Sequence, residues 1–376
     1  MVSPADEDPV HCFGRLVPPF RSVVFPKVLR AGIEVMAAEQ IDAVAAELSA
    51  ADRQALSDAL GPEGVARLLR DLPDAKAQRL ASCYQPRGPA DEQTFRAAYP
   101  RLAAATNGTL SLEQLERMLG QLSAEEMASQ SFCLGAAGRI ASLAALSRDR
   151  VAAILDHTDD WVMLETSKRA LAEIACYTAT VEKQERIDGK LGTAEVIALK
   201  VRHAPAALHL RWLAGPHKGR DLVYDPERFG PDKVRAREGG LLGVLPVTIG
   251  LDSSLARRGT RHRLTEVGLL PLVQMMEREH LRGAERNEIV RRNLGISELD
   301  GRPVYRVERT MPRDPGRGYY AYRSVHRSDY LRALEVELQV FGFDEQLAER
   351  YTYRDIDTTA HLGDEDFDPA NRAHRR

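Results

Sequence analysis

Near Cys176 the spacing of apolar residues changes from a period of about 3.6 to a period of 2, and that change limits what the chain can build. Upstream, from about Val28 to Leu155, the sequence is alanine- and leucine-rich and reads as helix throughout. Downstream, the segment Ile174 to Arg202, IACYTATVEKQERIDGKLGTAEVIALKVR, holds two alternating strands joined through Asp188-Gly189. Both turn residues tolerate the positive φ that a tight hairpin needs. A helical pattern from Trp161 to Ala175 leads into the first of these strands.

The upstream helices carry their own punctuation. Ser49 is an expected N-cap for a helix containing Arg53 to Leu60, and Ser111 and Ser123 precede further helical runs. Ser123 with Glu126 forms the S-x-x-E capping box. Breaks are expected at Gly61-Pro62, at Pro73 and across Gln85 to Pro89, so several short antiparallel helices result. Residues 1–28 read as a proline-broken tail, through Pro4, Pro9, Pro18, Pro19 and Pro26.

Downstream, Ile197, Leu199 and Val201 alternate with Ala198, Lys200 and Arg202. Leu208, Leu210 and Trp212 alternate with His209 and Arg211, and Leu334, Val336, Leu338 and Val340 with Glu335, Glu337 and Gln339. One apolar and one polar face per strand predicts an antiparallel sheet wetted on one side. A single helix, about Leu270 to His280, interrupts the set, with Pro271 in its first turn. The resulting organisation is a tail over 1–28, a helical domain over 29–155, a β domain over 156–368 and a polar tail over 369–376.

Charge and cysteine usage exclude several function classes. A formal net charge of −3 argues against nucleic-acid binding, which needs a basic domain or stripe. No run approaches the ~18 apolar residues of a membrane span, and the acidic N-terminus has no basic region followed by an apolar one. Cys12, Cys83, Cys133 and Cys176 form no C-x-x-C pair, so buried free thiols are expected. Asn107-Gly108-Thr109-Leu110 resembles half an EF-hand loop, but alanines at 103 and 105 and Gln114 occupy ligand positions. A helix-turn-helix corner is expected there. Gly239-Gly240-Leu241-Leu242-Gly243 lacks the P-loop lysine and reads as a mobile loop. Glu277, Glu279 and His280 read as a charged helix end, and His157, Asp159 and Asp160 as the cap of the next helix. No nucleophile or metal-ligand signature occurs, so no cofactor and no metal is expected.

The ordered series YTATVEKQERIDGKLG, ALKVRHAPAALHLRWL, KGRDLVYDPER, LDSSLARRGTRHRLTEVGLLPLV and LAERYTYRDIDTTAHLGDEDFDP resembles a bacterial family of unknown function related to the LolA-like lipoprotein-carrier superfamily. The resemblance covers roughly Trp161 to Asn371 and does not extend to the helical region before it. It implies an α+β chain in which the helical domain precedes a strongly curved antiparallel half-barrel, with short helices across its open side. It also implies a cavity for acyl chains or other hydrophobic ligands and an address in the periplasm or cell envelope. The absence of a visible export signal leaves the cytoplasm open. Ile197, Leu199, Val201, Leu208, Leu210, Trp212, Val336 and Leu338 are the expected wall, with Met275 and Met276 as adaptable lid residues. Arg257, Arg258 and Arg261, in the densest basic run, are expected to meet an anionic headgroup or to pair with nearby carboxylates. The function expected is non-enzymatic carriage of a lipid or other apolar ligand. The alternatives are a biosynthetic enzyme using the same cavity, with Glu277, His280 or the arginines positioning an acidic substrate, and a module docking a protein partner through the helical domain.

Overall fold

The computed structural model describes residues 10–12, 15–70, 72–239, 246–257, 259–368 and 371. The chain divides into two compact units, residues 1–166 with 330–333, and residues 167–329 with 334–376.

The first unit opens on a short hairpin, β1 (Val10–Cys12) and β2 (Arg15–Val17), and is otherwise helical. Its helices are α1 (Phe25–Val35), α2 (Ala38–Ala46), α3 (Ala50–Arg70), α4 (Asp74–Cys83), α5 (Glu92–Thr109), α6 (Leu112–Leu119), α7 (Ala124–Leu143) and α8 (Arg148–Asp156). The chain leaves the unit within α9 (Asp160–Ala172). The expected caps form. Ser49, Ser111 and Ser123 each accept from the backbone N–H three residues on, of Asp52, Gln114 and Glu126. Gly61, at φ 66°, bends α3 before Pro62. Asn107 to Thr109 end α5, and Ser111 starts α6 two residues later, as a corner.

One stretch departs from the sequence reading. Residues 20–28 were expected in an irregular tail, yet Phe20–Val24 forms a π-helical turn and α1 follows directly. Phe20 and Phe25 pack edge-on against Tyr99 of α5, with ring centroids 4.6 and 5.9 Å apart, and Phe25 meets Phe95 at 5.1 Å. Phe20, Val24 and Phe25 are all buried, and burying each phenylalanine contributes about 1.5–3 kcal/mol toward offsetting the cost of ordering the segment. Pro26 falls in the first turn of α1, where its missing N–H costs nothing.

Among the described residues, the second unit is a single sheet with one long helix. Its strands are β3 (Cys176–Ile187), β4 (Lys190–Leu191), β5 (Glu195–Arg202), β6 (Ala207–Ala214), β7 (Asp221–Tyr224), β8 (Lys233–Arg237) and β9 (Val247–Gly250), with a short helix, α10 (Pro226–Phe229), after β7. Then come α11 (Leu269–Glu285) and β10 (Val290–Leu299), β11 (Arg302–Thr310), β12 (Arg323–Asp329), β13 (Leu334–Phe341) and β14 (Leu347–Asp357). All pairings are antiparallel, in the order β10-β11-β12-β13-β14-β3-β5-β6-β7-β8-β9, with β4 hairpinned onto β3. Two meanders therefore meet at the β14–β3 seam. Asp188 and Gly189, at φ 49° and 76°, make the expected tight turn between β3 and β4. The result is a curved antiparallel half-barrel with α11 across its open side.

What fixes α11 is unusual chemistry at its start. Its N-cap is Gly268, at φ 120°, which has no side chain to accept from the first turn. Two tyrosines of the sheet replace it: Tyr177 Oη accepts from Leu269 N at 2.9 Å and Tyr353 Oη from Gly268 N at 3.3 Å. Two of the N–H groups at the helix start are thereby satisfied from the sheet.

The polar face of β13 is not wetted as expected. Glu335 and Glu337 are buried, held by Ser328 on one and by Thr352, Gln339 and Arg327 on the other. Buried carboxylates persist only with such partners. Of the cysteines, Cys83, Cys133 and Cys176 are free and half-buried. Among the described residues no helix is long and apolar enough to cross a membrane.

Candidate functional site

Register builds the site in rows across the inner face of the half-barrel. Leu199 of β5 lies opposite Ala179 of β3 on one side and Leu210 of β6 on the other, and Leu210 faces Leu222 of β7. The next row runs Tyr353, Val181, Ile197, Trp212. Above it come Tyr351, Lys183 and Glu195, and above those Glu349 and Glu185. The face is therefore apolar at one end and charged at the other.

Beneath α11 these rows wall a cavity of about 80 Å³. Leu272 and Met275 of α11, and Leu264 and Val267 of the segment before it, close the apolar part. Lys183, Glu195, His217, Arg220 and His262 line the polar part. Glu195 ties it together, accepting from Trp212 Nε1 at 3.1 Å with Lys183 Nζ 3.6 Å away. Arg278 of α11 also lines the cavity, is exposed, and makes no hydrogen bond or ion pair among the described contacts. A second cavity of about 40 Å³, lined by Met275, Met276, Met311, Tyr320, Leu338 and Val340 among others, shares Met275 with the first.

At the charged end, Lys183 Nζ lies 3.2 Å from Glu185 Oε2, and Tyr351 donates its hydroxyl to Glu185. His262 Nε2 lies 2.9 Å from Glu349 Oε2, which also accepts from Tyr320 Oη at 2.9 Å. Burial opposes protonation of His262, but the bond to Glu349 and the charges of Glu349, Glu185 and Glu266 outweigh it and raise its pKa. Burial, then the charges of Glu185 and Glu349, push the Tyr351 hydroxyl well above its ordinary range. Tyr353 rises to about 12, mainly through burial. Both hydroxyls stay protonated at neutral pH.

The residues named from sequence divide. Ile197, Leu199, Leu210, Trp212 and Met275 line the larger cavity; Met275, Met276 and Leu338 line the smaller one. Val201, Leu208 and Val336 are buried but line neither. Arg261 turns inward, with Nε 3.2 Å from Glu349, and Arg257 lies 4.0 Å from Asp252. Both arginines thus have carboxylate partners. Arg258 and residues 240–243 of the glycine-rich stretch lie outside the described residues. Glu277 pairs with Lys168 and Glu279 with Arg282, both half-buried and outside the larger cavity, while Glu279 and His280 line the smaller one. Sequence reasoning missed Lys183, Glu185, Glu195, His217, Arg220 and Glu349. The signal was present in the period: Lys183 and Glu185 continue the inward face of Tyr177, Ala179 and Val181.

The family described as protein of unknown function (DUF1571) matches residues 174–375. No curated protein matches the chain. Among solved structures, an uncharacterized conserved protein from Thermus thermophilus is 7% identical, with TM-score 0.32, over 55% of this chain and 90% of that one. Lipoprotein LppX of Mycobacterium tuberculosis is 14% identical, with TM-score 0.33, over 55% of this chain and all (100%) of that one. A LolA superfamily protein from Nitrosomonas europaea is 10% identical, with TM-score 0.22, over 55% and 96%.

Proposed function

Since the chain belongs to the DUF1571 family of proteins of unknown function, its role must be read from its own cavity, and we propose that it is a non-enzymatic binding protein for an amphiphile with an acidic head. The observation that carries this reading is the graded wall beneath α11, apolar around Leu199, Leu210 and Leu222 and charged around Lys183, Glu195 and Arg220. Each methylene moved from water into the apolar part contributes about 0.8 kcal/mol. The unpaired guanidinium of Arg278 at the rim favours a carboxylate or phosphate head, as arginine does generally.

The size of the cavity limits the tail. At about 80 Å³ it is smaller than the ~150 Å³ engineered cavity that admits benzene, so a long chain needs more room. Met275 lies between the two cavities, and a methionine has the rotamer freedom to join them. A cell-envelope address, implied by the LolA-like sequence resemblance, belongs to this proposal and is checked by cell fractionation.

Native mass spectrometry of the purified full chain, followed by solvent extraction, tests the function. An adduct that extracts into solvent as an acidic amphiphile supports it. A clean protein mass, with no binding of a fluorescent fatty acid, refutes it.

A further inference from the structure

We propose that Glu185, His262 and Glu349 form a binding site for one first-row divalent cation, with Zn²⁺ as the preferred occupant. The first ground is register. Glu349 of β14 is directly opposite Glu185 of β3, and their side chains are 0% and 2% exposed. Like charges directly opposite across two strands destabilise a sheet, and burial deepens the penalty. Two glutamates so placed are stable only with positive charge between or beside them.

The second ground is geometry. Glu185, His262 and Glu349 each bring one ligand atom within 4.8 Å of the others. The third is an open acceptor. Oε2 of Glu349 is fully engaged, but Oε1 is buried and has no hydrogen-bond partner among the described residues. A buried carboxylate oxygen left open costs free energy that coordination would recover.

Lys183 and Arg261 serve three buried carboxylates, because Glu195 shares Lys183 with Glu185. His262 Nε2 lies beside Glu349 and His217 Nε2 3.6 Å from Glu195, so imidazole nitrogens stand next to two of these carboxylates. The donor set, one imidazole and two carboxylates, suits zinc among the divalent first-row ions. Tyr351 and Tyr320 hold the two carboxylates by their hydroxyls, the outer support that metal ligands ordinarily have. The site goes beyond the binding reading and stands whether or not the cavity holds an amphiphile, although His262 also lines that cavity.

The test uses the full chain, stripped with chelator, and Co²⁺ as a spectroscopic substitute for Zn²⁺. The expected result is about one tightly held ion per chain, with visible d–d bands, displaced by Zn²⁺. Glu349→Gln and His262→Gln should each weaken binding by more than the ~10–100-fold that losing an outer-shell partner brings, and His262→Gln should also shift the bands by removing the nitrogen ligand. Far-UV circular dichroism identifies any variant that fails to fold; His262→Gln, on a segment outside the sheet, then decides alone. Less than a tenth of an equivalent bound by the parent would overturn the proposal. So would binding that persists undiminished in the folded variants.

Discussion

Leu199 and Leu210 face each other across β5 and β6, are 1% and 3% exposed, and both line the larger cavity. Replacing either with tryptophan distinguishes a cavity wall from a packed core. In a packed core the larger ring forces side chains off their rotamers, at about 1–3 kcal/mol. Here about 80 Å³ stands open beside them, room for roughly six waters at ~10–15 Å³ each. The indole can grow into that space, so each variant should lose less than about 1 kcal/mol relative to the parent. For a unit of this size 1 kcal/mol shifts Tm by about 2–4 °C, so the expected fall is under ~4 °C and the packed-core fall reaches ~12 °C. Scanning calorimetry is the suitable assay, because two units can unfold separately. In parallel, an environment-sensitive fatty-acid probe should bind the parent and bind both variants at least tenfold more weakly. A large fall in Tm, with no probe binding even by the parent, would refute the reasoning: the sheet would then simply cover a core.

Three further outcomes follow from named contacts. Arg278→Glu should weaken binding of a fatty acid about tenfold or more while leaving binding of the matching alcohol nearly unchanged, as read by probe displacement. Gly268→Ala places a Cβ 2.9 Å from Tyr177 Oη at φ 120°, so it should destabilise the second unit by about 1–3 kcal/mol, measured by denaturant unfolding. Asp221 is buried, which alone would raise its pKa, but His209 at 2.6 Å and Arg237 at 2.8 Å outweigh burial and lower it. Its stabilisation is present above the unfolded value of about 3.9 and lost as pH falls through the lowered folded value. Asp221→Asn should therefore cost stability at neutral pH and flatten the acid limb below about pH 4.

The antiparallel sheet was legible because its strands keep period 2 and because Asp188-Gly189 signals a tight turn, whereas its closing into a half-barrel was implied by the resemblance. The helical unit was legible through Ser49, Ser111 and Ser123, whose capping depends on residues three positions away. What escaped has a common physical cause. On β3 the inward face runs Tyr177, Ala179, Val181, Lys183, Glu185, and the last two look like solvent-facing residues to any reading that equates charge with water. Their burial depends on β14 arriving from more than 150 positions away, bringing Tyr351 and Glu349 into register with them. The same holds for Arg261, whose basic run suggests an open anion site until Glu349 is placed beside it. A local window contains one half of each pair, and the energy that buries a charge belongs to the pair. The charged end of this cavity, where both the rim of the proposed ligand site and the proposed metal site lie, is for that reason a property of the β14–β3 seam. A substitution at that seam, such as Glu349→Gln, should alter its charge balance while leaving the apolar rows around Leu199 and Leu210 intact, because distant sites with no shared partners act independently.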